Sequence, residues 1–258
     1  MVELADFDAG RFQDGPRMMM TETGGLSDYE VTLPGIFSKM EHPMSEVTVY
    51  GIPVSPYVRA VLLALEEKTV PYTLVRMGPM ETKQPAHLER HPFGRIPAFS
   101  HGDFQLYETQ AILRYIDAVF PGISLRPTEP RPAARMDQMM GVVDWYFFRD
   151  IGTTIIFNRV VAPAFGMPTD EAACIAAIPK AEICVRELDR MIGDGPYVTG
   201  ESLSLADLML APHLDFLSIS PEGIQVMAPY PRLWAWLKRM QERPSMQATH
   251  WEKLRQAA

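Results

Sequence analysis

The chain has 258 residues, a net charge of −8 and 47% hydrophobic residues. That length suits one large or two modest folded units, the apolar share is ample for a packed core, and the negative balance argues against a nucleic-acid partner. No apolar run approaches the roughly 20 residues of a membrane span, so no membrane partner is expected.

Residues 1–46 hold nine acidic and three basic residues, so most of the negative charge lies ahead of the first clear strand. They show no sustained period and contain Gly24-Gly25, Pro34-Gly35 and Pro43. This stretch is expected to be a disordered or loosely attached extension. It lacks a basic start followed by an apolar run, so it is no secretory signal. Met44 stands directly before the first strand and is a candidate natural start.

Val47–Tyr50 reads as a strand, and Gly51-Ile52-Pro53-Val54 as a loop. Ser55-Pro56 then opens a helix as N-cap and first-turn proline. Val58, Val61, Leu62 and Leu65 make one apolar helix face. Tyr72–Val75 reads as a second strand, giving a parallel βαβ unit. Residues 78–92 are polar and proline-broken, with a short helix near Pro85–Glu89. Ile96–Phe99 and Phe104–Tyr107 flank Ser100-His101-Gly102-Asp103 as a hairpin. A helix follows from Thr109 to about Phe120. The order over residues 47–122 is β-α-β-α-β-β-α.

Pro121–Pro132 carries four prolines, and residues 123–131 read as a linker. From 132 to 258 only helical patterns occur, roughly at 132–162, 169–192, 204–219 and 231–243. Ser204 and Asp207 match a capping box with Asp in the usual Glu or Gln place. Pro212 is expected to kink or restart its helix.

Two features of the first unit point to a ligand. A proline inside the apolar run at 96–99 conflicts with an interior strand position. Placing Pro97 at the strand's beginning removes the conflict and leaves the backbone N–H and C=O of Ile96 unpaired, ready to clamp a small peptide. About ten residues on, Glu108-Thr109 opens a helix, where a hydroxyl and free N–H groups hold a carboxylate. Together these describe a peptide-sized site.

In this order and spacing, Tyr50-Gly51-Ile52-Pro53-Val54-Ser55, Thr82-Lys83-Gln84-Pro85, His91-Pro92-Phe93-Gly94-Arg95-Ile96-Pro97, Glu108-Thr109-Gln110-Ala111-Ile112 and the tail Tyr230-Pro231 through Arg243-Pro244-Ser245 resemble the glutathione transferase superfamily. The resemblance covers about residues 47–250 and is nearest the serine-type, phi-like and bacterial classes. It implies an α/β plus all-α fold, a thioredoxin-like N-terminal domain followed by an all-helical C-terminal domain. It also implies a cis Ile96–Pro97 bond, glutathione as co-substrate, and a homodimer acting in detoxification. Ser55 is then the catalytic hydroxyl donor to the glutathione thiolate. Ile96 and Pro97 hold the cysteinyl part, Thr109 and Glu108 the γ-glutamyl end, and Lys83 the glycyl carboxylate. Thr82 departs from the histidine common in the phi-like members.

The second substrate, a small, largely apolar electrophile, is expected against the helical domain near Tyr57. Trp145–Arg149 cluster on the first long helix, mostly as core, with Tyr146 and Arg149 the candidates for facing the cleft. Arg95 reads as a surface or interface residue. Ser204 and Asp207 read as a helix cap rather than catalytic groups. Cys174 and Cys184 have no metal or Cys-x-x-Cys spacing and read as packing residues of a reducing cytoplasm. The six histidines form no ligand spacing, so no metal is expected. Alternatives on the same fold are a peroxidase, isomerase or dehalogenase using glutathione, and a non-catalytic binding protein. Thiol–disulfide reduction needs a protein thiolate where Ser55 stands, and is disfavoured.

Overall fold

The computed structural model describes residues 46–256, so the expectations for residues 1–45 and for Met44 lie outside the described residues. The first half follows the anticipated order: β1 (Val47–Gly51), α1 (Pro56–Glu67), β2 (Thr73–Arg76), a tight turn (Pro79–Lys83), α2 (Pro85–Leu88), β3 (Ala98–His101), β4 (Phe104–Tyr107) and α3 (Thr109–Val119). The sheet order is β2-β1-β3-β4. β1 runs parallel to β2, with Tyr50 opposite Val75, and antiparallel to β3, with Tyr50 opposite Ala98. β3 starts one residue after Pro97, and the Ile96–Pro97 bond is cis. The hairpin turn is held by Gly102 at φ 61°.

Then come helices only: α4, which spans residues 130–164, α5 (Glu171–Ile192), α6 (Leu205–Ser218), α7 (Pro221–Met227), α8 (Pro231–Gln241), α9 (Pro244–Ala248) and α10 (Trp251–Gln256). The middle of α4 (Val143–Val161) winds with the wider π pitch, where Ala162 N–H reaches back five residues to Phe157 C=O. Its buried positions, Val143, Phe147, Ile151, Ile155, Ile156 and Val160, step by about four to five residues, which suits that pitch. Trp145 is 69% exposed, where core was expected, because it lies on the helix face opposite fully buried Phe147, and Tyr146, a candidate for facing the cleft, is 62% exposed.

Three short helices escaped the sequence reading: α7, α9 and α10. The first carries the same Ser-Pro start as α1, with Ser220 Oγ accepting Gly223 N–H at 3.0 Å. Pro212 sits within an unbroken α6. The capping box is formed: Asp207 Oδ2 accepts from Ser204 N and Oγ at 2.9 and 2.6 Å, and Oδ1 accepts from Val198 N and Trp236 Nε1 at 2.9 and 3.0 Å.

α1 is buried from Val58 through Leu65 because it is wedged between the sheet and α3 on one side and α6 on the other. One apolar cluster therefore runs from Val47 to Met246 through both halves. Charges fasten it at the edges. Buried Arg59 pairs with Asp215 and donates to Met246 C=O at 3.0 Å. Glu67 takes Arg243 at 2.6 Å, and Ser245 as well. The proline-rich connection is pinned too. Leu125 is fully buried, its N–H donates to Asp117 at 2.8 Å, and its C=O accepts Leu205 N–H at 2.9 Å.

Candidate functional site

Between the sheet half and α4 lies a cavity of about 1040 Å³. Its polar wall comes from loops of the first half: Ser55, Thr82, His91, Arg95, Glu108 and Thr109. Its apolar wall is Ile52, Val54, Phe148, Ile156, Phe157 and Phe165.

Ser55 caps α1 in extended backbone. Its Oγ accepts Val58 N–H at a long 3.4 Å, and the hydroxyl proton has no acceptor among the described residues. The proton is thus free to be donated, at the positive end of a helix. Ile96 lines the same cavity, and its backbone N–H and C=O have no partner among the described residues.

Across the pocket, Thr109 begins α3 and is nearly buried, with the unpaired N–H groups of the first turn beside it. Glu108 precedes it at φ 71°, a left-handed conformation that costs a non-glycine residue on the order of 1–3 kcal/mol. That strain sits beside the pocket and aims an uncapped carboxylate at it.

Asp144 on α4 is a residue the sequence reading missed. Its Oδ1 accepts from Tyr57 Oη at 2.8 Å, and its Oδ2 from Gln110 Nε2 at 2.6 Å. Burial pushes the Asp144 carboxyl above the usual carboxylate range, against those hydrogen bonds. Burial and then Asp144 push the Tyr57 phenol far up, so it stays protonated with its proton committed. An acid alone in the apolar run Val-Val-Asp-Trp-Tyr-Phe-Phe was the available signal.

The Tyr57 ring packs edge-on against Phe148 at 4.9 Å and His213 at 4.7 Å. Burial pushes His213 down to about 4 and keeps it neutral. His91 is buried at the cavity wall and also pushed down, by burial and then by His87.

Lys83 was expected at the pocket, and the structure sets it directly behind the lining residue Gly94. Its ammonium donates to the Phe93 and Gly94 carbonyls at 3.4 and 3.2 Å, bracing the turn made by Gly94 at φ 58°, and it does not line the cavity. Arg95, read as surface, lines the cavity instead. His87 Nε2 meets its carbonyl at 2.7 Å, and its guanidinium has no acidic partner among the described residues. Tyr57 and Arg149 do line the cavity. Tyr146 does not, and faces an adjoining hollow of about 330 Å³ with Trp145, Arg149, Asp150 and Lys180. Cys174 and Cys184 are buried free thiols away from this wall, and burial pushes Cys184 up to about 12.

Comparison with known proteins agrees with this geometry. Residues 45–118 match the family model for the glutathione S-transferase N-terminal domain, and residues 178–239 that for its C-terminal domain. The chain is 32% identical to a probable glutathione S-transferase, GSTF1, of Oryza sativa subsp. japonica, over 79% of this chain and 94% of the relative. Glutathione transferase F7 from Populus trichocarpa superposes with a TM-score of 0.71 at 29% identity, covering 79% of this chain and 97% of that one. The maize glutathione S-transferase I in complex with an atrazine glutathione conjugate gives 0.69 at 29% identity, covering 80% and 97%.

Proposed function

The chain belongs to the glutathione S-transferase family and acts as a glutathione transferase; on that premise we propose that its cavity seats glutathione on the first-half wall and an electrophile on the α4 wall. The carrying observation is the uncommitted Ser55 hydroxyl, at a helix N-terminus, facing the same cavity as the unpaired backbone of Ile96.

Glutathione's cysteinyl backbone pairs with Ile96 beside Pro97. Its γ-glutamyl carboxylate meets the Thr109 hydroxyl and the α3 N-terminus, and its ammonium meets Glu108. The glycyl carboxylate falls to Arg95, with Lys83 holding the turn behind it. The thiol lies at Ser55. A free thiol near pKa 8.5 is mostly protonated at neutral pH, and lowering it by about two units requires roughly 2.7 kcal/mol of thiolate stabilisation. A hydroxyl hydrogen bond and the α1 dipole act on the thiolate and not on the thiol. The thiolate sulfur then bonds to the electrophilic carbon, and the displaced electron pair leaves with the acceptor's leaving group. Tyr57 shapes the acceptor seat without donating a proton, because that proton is held by Asp144.

The reading extends to a homodimer that covers the exposed Met80 and Phe93 beside the site, and to detoxification in the cytoplasm, where two free cysteines stay reduced. The test is Ser55→Ala. Glutathione affinity by calorimetry stays within about two-fold, while the ultraviolet-monitored thiol pKa rises and kcat falls about 100-fold, as expected for losing an oriented donor. Unchanged turnover defeats the role given to Ser55.

A further inference from the structure

Once glutathione is placed as above, the charges of the cavity can be matched one by one. Asp144 accepts from Tyr57 and Gln110, and its charge is offset by the Arg114 guanidinium, which donates to Gln110 Oε1 at 3.0 Å. Glu108 faces the ammonium of glutathione, and Arg95 its glycyl carboxylate. One charge is left over. Arg149 lines the acceptor end of the cavity beside Trp145 and Phe148, and its guanidinium has no partner among the described residues. The adjacent acid on α4, Asp150, does not neutralise it, because it pairs with Lys180 at 3.0 Å. Thr153 Oγ1 bonds the Arg149 carbonyl at 2.7 Å, fixing the backbone and leaving the side chain free.

From this charge balance we infer that the acceptor is an aromatic electrophile carrying a carboxylate, with Arg149 as the residue that selects it. The inference rests on the glutathione seat proposed above. The aromatic body lies on Phe148, Phe157 and Phe165, and the carboxylate meets the planar guanidinium at the mouth, where two parallel N–H donors fit it. A neutral acceptor fills the same apolar wall but leaves Arg149 to water. Because Arg149 is exposed, the preference is modest, about ten-fold rather than a hundred-fold.

Two unreactive conjugates test this: S-(carboxybenzyl)glutathione and its neutral isostere S-(carboxamidobenzyl)glutathione, titrated into the intact protein by calorimetry. The wild type should bind the carboxylate about ten-fold more tightly. The ratio should fall to near one in Arg149→Gln and be partly retained in Arg149→Lys, since Lys keeps the charge and loses the fork. Equal binding of both conjugates by the wild type overturns the inference, as does a ratio unchanged in Arg149→Gln, which makes Arg149 an ordinary solvated residue. Those outcomes leave the glutathione seat standing. Binding of neither conjugate removes the seat itself, and this inference with it.

Discussion

Gly152→Ala isolates the acceptor wall from the glutathione seat. A β-carbon built at Gly152 lies 2.7 Å from Phe148 Cδ2 and 3.4 Å from its Cγ and Cε2. Ordinary carbon contact is about 3.5–4.0 Å, so the ring must move by about 1 Å. Moving it loosens the edge contact with Tyr57, worth about 0.5–1.5 kcal/mol. Replacing a helical glycine by alanine returns about 1 kcal/mol, so the net change in stability is close to zero. The functional effect is therefore not hidden by unfolding. With chlorodinitrobenzene varied at saturating glutathione, the acceptor KM should rise about three- to ten-fold, the loss of about 0.7–1.4 kcal/mol of wall contact. Glutathione affinity by calorimetry should hold within about two-fold. An unchanged acceptor KM, or a parallel fall in glutathione affinity, would refute Phe148 as a wall of the acceptor seat alone.

Other perturbations read other parts of the molecule. Glu108→Gly removes both the carboxylate and the left-handed strain at φ 71°, so chemical denaturation should show a gain of about 1 kcal/mol while glutathione affinity falls several-fold. A loss of stability would mean the strain is not relieved. Asp207→Asn faces four donors with an amide that accepts at one oxygen only, and should destabilise by roughly 3 kcal/mol in urea melts without altering the glutathione Kd of the folded fraction. Burial raises the Glu67 carboxyl, but Arg243 and Ser245 outweigh it and hold it below its ordinary value of 4.5. With the folded value depressed, its contribution is present above 4.5 and is lost as pH falls through the folded value. Glu67→Gln should therefore be less stable than wild type at neutral pH, with the gap narrowing as pH falls below 4.5; a gap independent of pH contradicts the assignment.

Much of the fold was legible because its signals are local. Ser55-Pro56 marks a helix start wherever it occurs, and Pro97 at the head of an apolar run fixes where β3 begins. The helical half was legible in outline from its apolar spacing, except where helices are short. The aromatic run at 145–148 reads as core as a block, yet Trp145 lies on the helix face opposite buried Phe147. Side-chain direction in loops was beyond reach. Lys83 and Arg95 are both cations near the same turn, and the structure spends the Lys83 ammonium on the Phe93 and Gly94 carbonyls while Arg95 lines the cavity. The buried Leu125 was hidden for a similar reason, since four surrounding prolines read as a free tether.

The apolar cluster shared by both halves bears on how this chain can be recombined. With α1 covered on every side, the thioredoxin-like part is no detachable cassette: cut loose, it would strand Arg59 without Asp215 and Glu67 without Arg243, and bare Leu63, which lies between them on the same helix face. A chimera that borrows its acceptor wall from a relative must import the matching surface of α1 as well. Drift in substrate preference is thereby tethered to the helix that carries Ser55.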